Sequence, residues 1–205
     1  MNLDRIAFIN PTYVLDVGSN TGEWSKECKR IWPNCQTYMV EANPACEPYL
    51  VESGFPYQLA CLSDSEKEVT FYQRKCGGPS TGDSYLREIT PWYDDENLVQ
   101  TKMWTTTLDE IFKFRSILFD FCKLDSQGSE LDILRGGVKT ISECKFIQME
   151  VAVAGAKPYN LGAPTHAEVM SYMGSIGFKP VMELESIVHP LERYEIQKDW
   201  LFARE

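Results

Sequence analysis

The residues in this chain best suited to chemistry fall into two groups of acids set beside glycines. The first lies in "VLDVGSNTGEWS" (14–25), where a short apolar run leads into Asp16, Gly18, Ser19, Asn20 and Gly22. A strand that feeds a glycine loop and then a helix points unpaired backbone N–H groups and the positive end of the helix dipole at a ligand. The dinucleotide fingerprint G-x-G-x-x-G needs its second glycine so that the backbone can reach a pyrophosphate, and here Asn20 stands in that place. A nicotinamide cofactor is therefore disfavoured. The spacing D-x-G-x-N-x-G, with Glu41 closing the next apolar run, suits a cofactor without phosphate, and S-adenosylmethionine fits. Gly18 and Gly22 permit close approach, Asp16 is placed to hold the ammonium or an ordering water, and Glu41 can accept from both ribose hydroxyls. The alternative is an ordinary helix start in which Asn20 or Thr21 caps and Glu41 is a solvated strand end.

The second group lies in "KLDSQGSELDILRGG" (123–137), where an apolar run ends in Asp125 and a Ser-Gln-Gly turn enters a helix carrying Glu130; Glu150 lies near the end of the next apolar run. In an open sheet this strand end shares an edge with the first loop and faces it across the crevice. Asp125, Glu130 and Glu150 could gather magnesium or calcium through hard oxygen ligands. Glu130 reads better as a first-turn acid that complements the helix dipole by about 0.3–1 kcal/mol, so a divalent metal is not expected.

Positioning these groups requires strands and helices in alternation. "YVLDVG" reads as a buried strand, Glu23 to Trp32 as a helix stopped by Pro33, and "QTYMVE" (36–41) as a second strand. Asn43-Pro44 opens a helix to about Glu52, and "PYQLACLS" (56–63) is a third strand. This rhythm predicts βαβ units and a parallel sheet covered on both faces. The middle is less regular: "EVTFYQRK" (68–75) alternates like a half-exposed strand, "CGGPSTGDS" is a loop, and "VQTKMWTTT" runs extended into a helix at "LDEIF". Segment 73–105 is an irregular elaboration that could face the substrate, and the tryptophans and tyrosines of 85–104 could cover it or simply pack. Regular order resumes with a strand at "SILFDFCKLD" (116–125), a helix from Glu130 to Leu134, a strand at "KFIQMEVAV" (145–153), and a helix capped by Thr165 and stopped at Gly177. "FKPVMELES" (178–186) and "KDWLFARE" (198–205) have no room for a helix between them, so they pair antiparallel.

The bulk numbers agree with a single domain spanning 1–205: 43% apolar and 24% charged residues describe an ordinary globule. No apolar run approaches the roughly 18 residues of a membrane span. "MNLDRIAFINPT" does not resemble a secretory signal, so a cytoplasmic protein is expected. The seven cysteines are scattered without a C-x-x-C pair and there are two histidines, which predicts mostly buried free thiols and no structural zinc. A net charge of −10 repels phosphate backbones, so a small molecule is expected as partner rather than nucleic acid or an anionic membrane.

Taken in order, "VLDVGSNTGEWS", "VEANP", "CLSDSEKEVTFY", "TTLDEI", "KLDSQGSELDILRGG" and "IQMEV" resemble the FkbM-type methyltransferases, and "MSYMGSIGFKPV" and "KDWLFARE" match the family's closing helix and strand. The resemblance implies a Rossmann-like class I methyltransferase fold, an α/β architecture with a mostly parallel seven-stranded sheet, an antiparallel last strand and helices on both faces. It implies S-adenosylmethionine as cofactor and O-methylation of a hydroxyl on a sugar or other small metabolite. Asp16, Gly18, Asn20 and Gly22 match the cofactor loop, Glu41 the ribose acid, Leu62 and Ser63 the segment beside adenine, and Asp125 and Glu130 the acids of the signature K-[IL]-D-x-[EQ]-G-x-E. Ser126 departs from the apolar residue common there, and 73–105 matches weakly. Two alternatives are a non-catalytic binding or scaffold protein and a dinucleotide-dependent enzyme with a divergent loop. Methyl transfer to an alcohol needs alignment of the acceptor and loss of its proton. Asp125 is the first candidate for base or acceptor positioning, Glu150 the second, and His166, with an ordinary pKa of about 6.5, the third. His189, beside Pro190, has no assigned role.

Overall fold

The computed structural model describes residues 3–156, 158, 160–188 and 195–205, so His189 lies outside the described residues. Its main sheet has seven strands in the order β3 (Tyr57–Leu59), β2 (Gln36–Glu41), β1 (Tyr13–Val17), β7 (Phe121–Leu124), β8 (Phe146–Ala152), β10 (Glu195–Arg204) and β9 (Phe178–Val188). Pairing is parallel from β3 through β8, and β10 runs antiparallel to both its neighbours. The antiparallel closing pair is the one expected from its short connection. Strand order reverses between β1 and β7, the switch point at which an open sheet forms a crevice beyond its strand ends.

Both β1 and β7 are buried almost throughout, as strands covered on two faces must be. On one face α1 (Glu23–Ile31) and the 3₁₀ segment Leu3–Ile9 bring Trp24 and Trp32 onto Phe121, with ring centroids 5.9 and 5.7 Å apart. Such aromatic pairs contribute about 0.5–1.5 kcal/mol each beyond their area. On the other, α3 (Leu108–Phe112), α4 (Glu130–Arg135) and α5 (His166–Ser175) pack Leu108, Leu131 and Met173 against Leu124, Met149 and Phe202. The short helix α2 (Glu47–Ser53) sets Leu50 against Met39 of β2. Among the described residues no helix is long and apolar enough to cross a membrane. Of the free cysteines, Cys76 alone is exposed.

Two expected strands differ. The run 56–63 changes partner at Ala60: β3 stays with β2, whereas β4 (Cys61–Leu62) leaves to pair with β6 (Leu98–Thr106). The run 116–125 is a strand only at Phe121–Leu124, where ladder pairing with β1 and β8 begins; Asp120 just before it bonds to Tyr13, Lys145 and Phe146 and anchors the strand's entry. The middle segment is more ordered than its sequence implies. There β5 (Glu68–Arg74) pairs antiparallel with β6 in full register, giving a second sheet in the order β4-β6-β5. The connection between β5 and β6 folds back over the crevice.

Candidate active site

A cavity opens at the ends of β1, β2 and β7, and its wall includes Gly18, Asn20, Glu41, Leu62, Tyr85 and Asp125. Gly18 has a φ of +71°, and a Cβ built there would lie 1.8 Å from the Asp125 backbone oxygen. Glycine is thus required for the loops after β1 and β7 to touch. Asn20 turns the loop with a φ of +49°. Its N–H donates to Glu41 Oε2 at 2.7 Å, and the Asn43 N–H donates to Oε1 at 2.8 Å. Glu41 is buried, not a solvated strand end, and α1 starts at Gly22 without a side-chain cap, so the ordinary-helix-start reading does not hold. Burial raises the Glu41 pKa while the Asn43 and Asn20 amides oppose it. Each oxygen accepts one amide and keeps capacity for a further donor.

Asp16 lies beneath this loop and does not line the cavity. It accepts from Ser25 Oγ at 2.6 Å and faces Lys123 Nζ at 3.4 Å. Lys123, buried mid-strand in β7, also reaches Asp125 Oδ2 at 3.2 Å and donates to Gly18 O at 3.1 Å. One cation therefore ties the two loops together. Burial opposes its charge, yet Asp125 and Asp16 hold its pKa above the ordinary lysine value; burial raises that of Asp16 against the pull of Lys123. Ser19 is buried, and its Oγ has no partner among the described residues. Ser63 lies one layer behind Leu62, its Oγ 3.2 Å from the Tyr85 hydroxyl, which donates to Asp132 Oδ2 at 3.0 Å.

Across the crevice the Ser-Gln-Gly turn is built by Glu130. Its Oε1 accepts from the Ser126 N–H at 2.9 Å, Ser126 Oγ at 3.2 Å and the Gly128 N–H at 3.1 Å, so this oxygen is committed to the turn. The polar Ser126 is absorbed in the same network, its carbonyl accepting from Ser84 Oγ at 3.1 Å. Gln127, at φ +55°, donates through Nε2 to Asp125 Oδ1 at 2.8 Å and to Glu150 Oε2 at 3.3 Å. The structure thus brings Asp125 and Glu150 together through one amide. Burial, then Asp125, Glu130 and Asp199, push Glu150 well above the usual carboxylate range. Asp199, its cross-strand neighbour on β10, is pushed up to about 7, chiefly by burial, although Gln148 Nε2 donates to it at 2.6 Å. His166 opens α5 outside the crevice wall, beside the capping box that Thr165 forms with Glu168.

Segment 73–105 supplies much of the roof. Ser80 O accepts from Asn20 Nδ2 at 2.8 Å, and Asp83 accepts from Asn43 Nδ2 at 2.8 Å and from the Tyr93 hydroxyl at 3.1 Å. Tyr85 joins the wall, Tyr93 is buried in packing, and Trp104 is exposed, so the aromatics divide between the expected roles. Sequence reasoning missed Lys123, Gln127 and Asp83. A lysine within the otherwise apolar "FCKL" was a signal for the first; Asp83 sits in a stretch without periodicity.

A reversed strand order with a glycine loop, a strand-end acid and a crevice at the switch point defines a class I methyltransferase fold. The family model described as the methyltransferase FkbM domain matches residues 16–180, and the chain belongs to that family. It is 24% identical over 160 residues to the 2-O-methyltransferase NoeI of Sinorhizobium fredii, covering 67% of this chain and 62% of that protein. The crystal structure of methyltransferase FkbM from Methylobacillus flagellatus superposes with a TM-score of 0.53 at 15% identity, covering 93% of this chain and 44% of the other. TrmK of M. capricolum in complex with S-adenosylhomocysteine gives 0.53 at 12% identity, over 99% and 67%. The chain thus spans under two thirds of the length of the first two.

Proposed function

We propose that this protein is an S-adenosylmethionine-dependent methyltransferase that methylates a hydroxyl of a small molecule, a sugar or another metabolite. The observation that carries the reading is Glu41: a buried strand-end carboxylate fixed by two loop amides at the wall of the switch-point cavity, each oxygen with capacity for a ribose hydroxyl. The residues fit the cofactor elsewhere too. Ala60, Leu62, Phe71 and Ile133 offer an apolar slot for an adenine, and Gly18 with Asn20 offers backbone to its amino-acid end. Bound there, the cofactor supplies an electrophilic methyl group. Asp16 acts from below, holding Lys123 and through it the Gly18 carbonyl.

Asp125 then holds the acceptor hydroxyl and takes its proton, with Glu150 behind it through Gln127. Lys123 keeps Asp125 oriented and offsets its charge. His166 has no part in this arrangement. The 2-O-methyltransferase relative supports oxygen as the atom methylated.

Calorimetric titration with S-adenosylhomocysteine, beside NAD, tests the reading. Saturable binding of the former alone is expected, weakened about tenfold or more by Glu41→Ala through loss of charge-assisted hydrogen bonds. Preference for NAD, or indifference to the substitution, overturns it.

A further inference from the structure

Beyond the main cavity, a small side cavity with room for about one water-sized group, such as an ammonium, lies between the end of β8, the start of α4 and the loop before α5. Glu150, Asn160 and Gln197 give it polar wall, and Val151, Pro164 and Val169 give it apolar wall. Asn160 is 1% exposed, its Nδ2 donates to Leu86 O at 2.8 Å, and its Oδ1 has no hydrogen-bond partner among the described residues. Exchanging the two atoms would set oxygen against oxygen, so the orphan is an acceptor. A buried acceptor left without a donor costs about 1–3 kcal/mol, a cost that a ligand's donor removes.

The same wall carries the half-buried Glu150, whose one described donor is Gln127 at 3.3 Å. Gly128 separates this space from Leu86: at φ +100°, a Cβ there would lie 2.7 Å from Ala163 Cβ and 3.1 Å from Asn160 Cβ. The polar groups among the described residues lining the cavity are Glu130, Glu150, Asn160 and Gln197. The acids of this edge are spread along it; among the described residues no group of His, Cys, Asp or Glu is gathered tightly enough for a metal ion.

We propose that this side cavity receives a protonated primary amine on the methyl acceptor, its ammonium donating to Asn160 Oδ1 and to the Glu150 carboxylate. The acceptor class is thus an amine-bearing alcohol, such as an amino sugar, whose ammonium favours the ionised form of Glu150, whereas a phosphate would meet the Asn160 oxygen and Glu150 with no donor between them. The assignment rests on the methyltransferase reading for which molecule is held, and on the side cavity alone for how it is held. Glu150 becomes both the anchor of the acceptor and, through Gln127, a support for Asp125.

Glucosamine, N-acetylglucosamine and glucose 6-phosphate serve as probes on protein saturated with S-adenosylhomocysteine and on protein without it, followed by NMR of the Asn160 side-chain amide. Glucosamine is expected to shift that resonance saturably, about tenfold more tightly than its N-acetyl form, with no response to the phosphate. By calorimetric titration, Asn160→Leu and the near-isosteric Glu150→Gln should each weaken glucosamine about tenfold while leaving S-adenosylhomocysteine within about twofold. Equal binding of amine and amide, or undiminished binding in Glu150→Gln, overturns the proposal with the cofactor reading intact. Glucosamine held at Asn160 in a chain that does not take S-adenosylhomocysteine supports the amine site and sinks the methyltransferase reading instead.

Discussion

Glu41 and Glu150 both stand near the ends of parallel strands at one edge of the main sheet, yet Glu41 accepts two loop amides at 2.7 and 2.8 Å whereas Glu150 has Gln127 at 3.3 Å. Around Glu41 the loops are tied by short bonds and by a glycine contact that admits no side chain. Around Glu150 an acid neighbour on β10 and an orphaned amide oxygen remain. The contrast separates a pre-organised half from a half whose polar groups wait for a partner. Pre-organisation lowers the cost of binding a cofactor used at every turnover, while unmet hydrogen-bonding capacity is where recognition of an acceptor can gain most.

Lys123 belongs to the organised half, and its removal should give the largest effect. Lys123→Met leaves Asp16 buried without its cation, a change that costs about 3–5 kcal/mol when one member of a buried pair is lost. Asp16 already has a raised pKa, and without Lys123 it rises further. The variant's deficit is therefore greatest where Asp16 must ionise and shrinks as pH falls through its raised pKa. Urea denaturation at neutral and acid pH checks this; a deficit independent of pH would mean that Lys123 acts by packing on Trp24 and not by charge.

Asp199 tests the other half. Its ordinary pKa of 3.8 is raised to about 7, so the stability tied to its neutral form is fully present below 3.8 and is lost as pH rises through about 7. Asp199→Asn keeps a neutral side chain beside Gln148 and removes this dependence. The variant should match the wild type near pH 4 and exceed it near pH 8 by on the order of 4 kcal/mol. Thermal melts across that window check it, and equal stability at the upper end would mean that the ionised acid is well accommodated.

The organised half was the more legible one in sequence because its signals are local. Gly18, Asn20 and Glu41 sit at a strand end, a turn and a strand end, and the positive φ at Gly18 is what a glycine there announces. Asp125 and Glu130 were readable for the same reason. Lys123 depends on β1 and β7 becoming neighbours across more than a hundred residues, a pairing no local pattern states. The changed partner of Cys61 and Leu62 follows from the second sheet, which the alternation of 68–75 hinted at without naming its mate. Asn160 lies in a Gly/Pro-rich loop, where its burial comes from Gly128 and Leu86 packing against it and not from its own surroundings in the chain.

Ser126 offers the smallest and sharpest probe, since it departs from the apolar residue common at this turn and sits between the two halves. Its Oγ donates to Glu130 at 3.2 Å, but its N–H donates to the same oxygen at 2.9 Å and the Gly128 N–H at 3.1 Å. Ser126→Val removes one contact and leaves the amides that set the turn. The cost should be about 1 kcal/mol or less, and S-adenosylhomocysteine affinity should hold within about twofold. Denaturation and titration of the variant measure both. A loss of affinity without a loss of stability would place the serine hydroxyl on the ligand side of the turn, and the boundary between the organised and the waiting half would then pass through Ser126 itself.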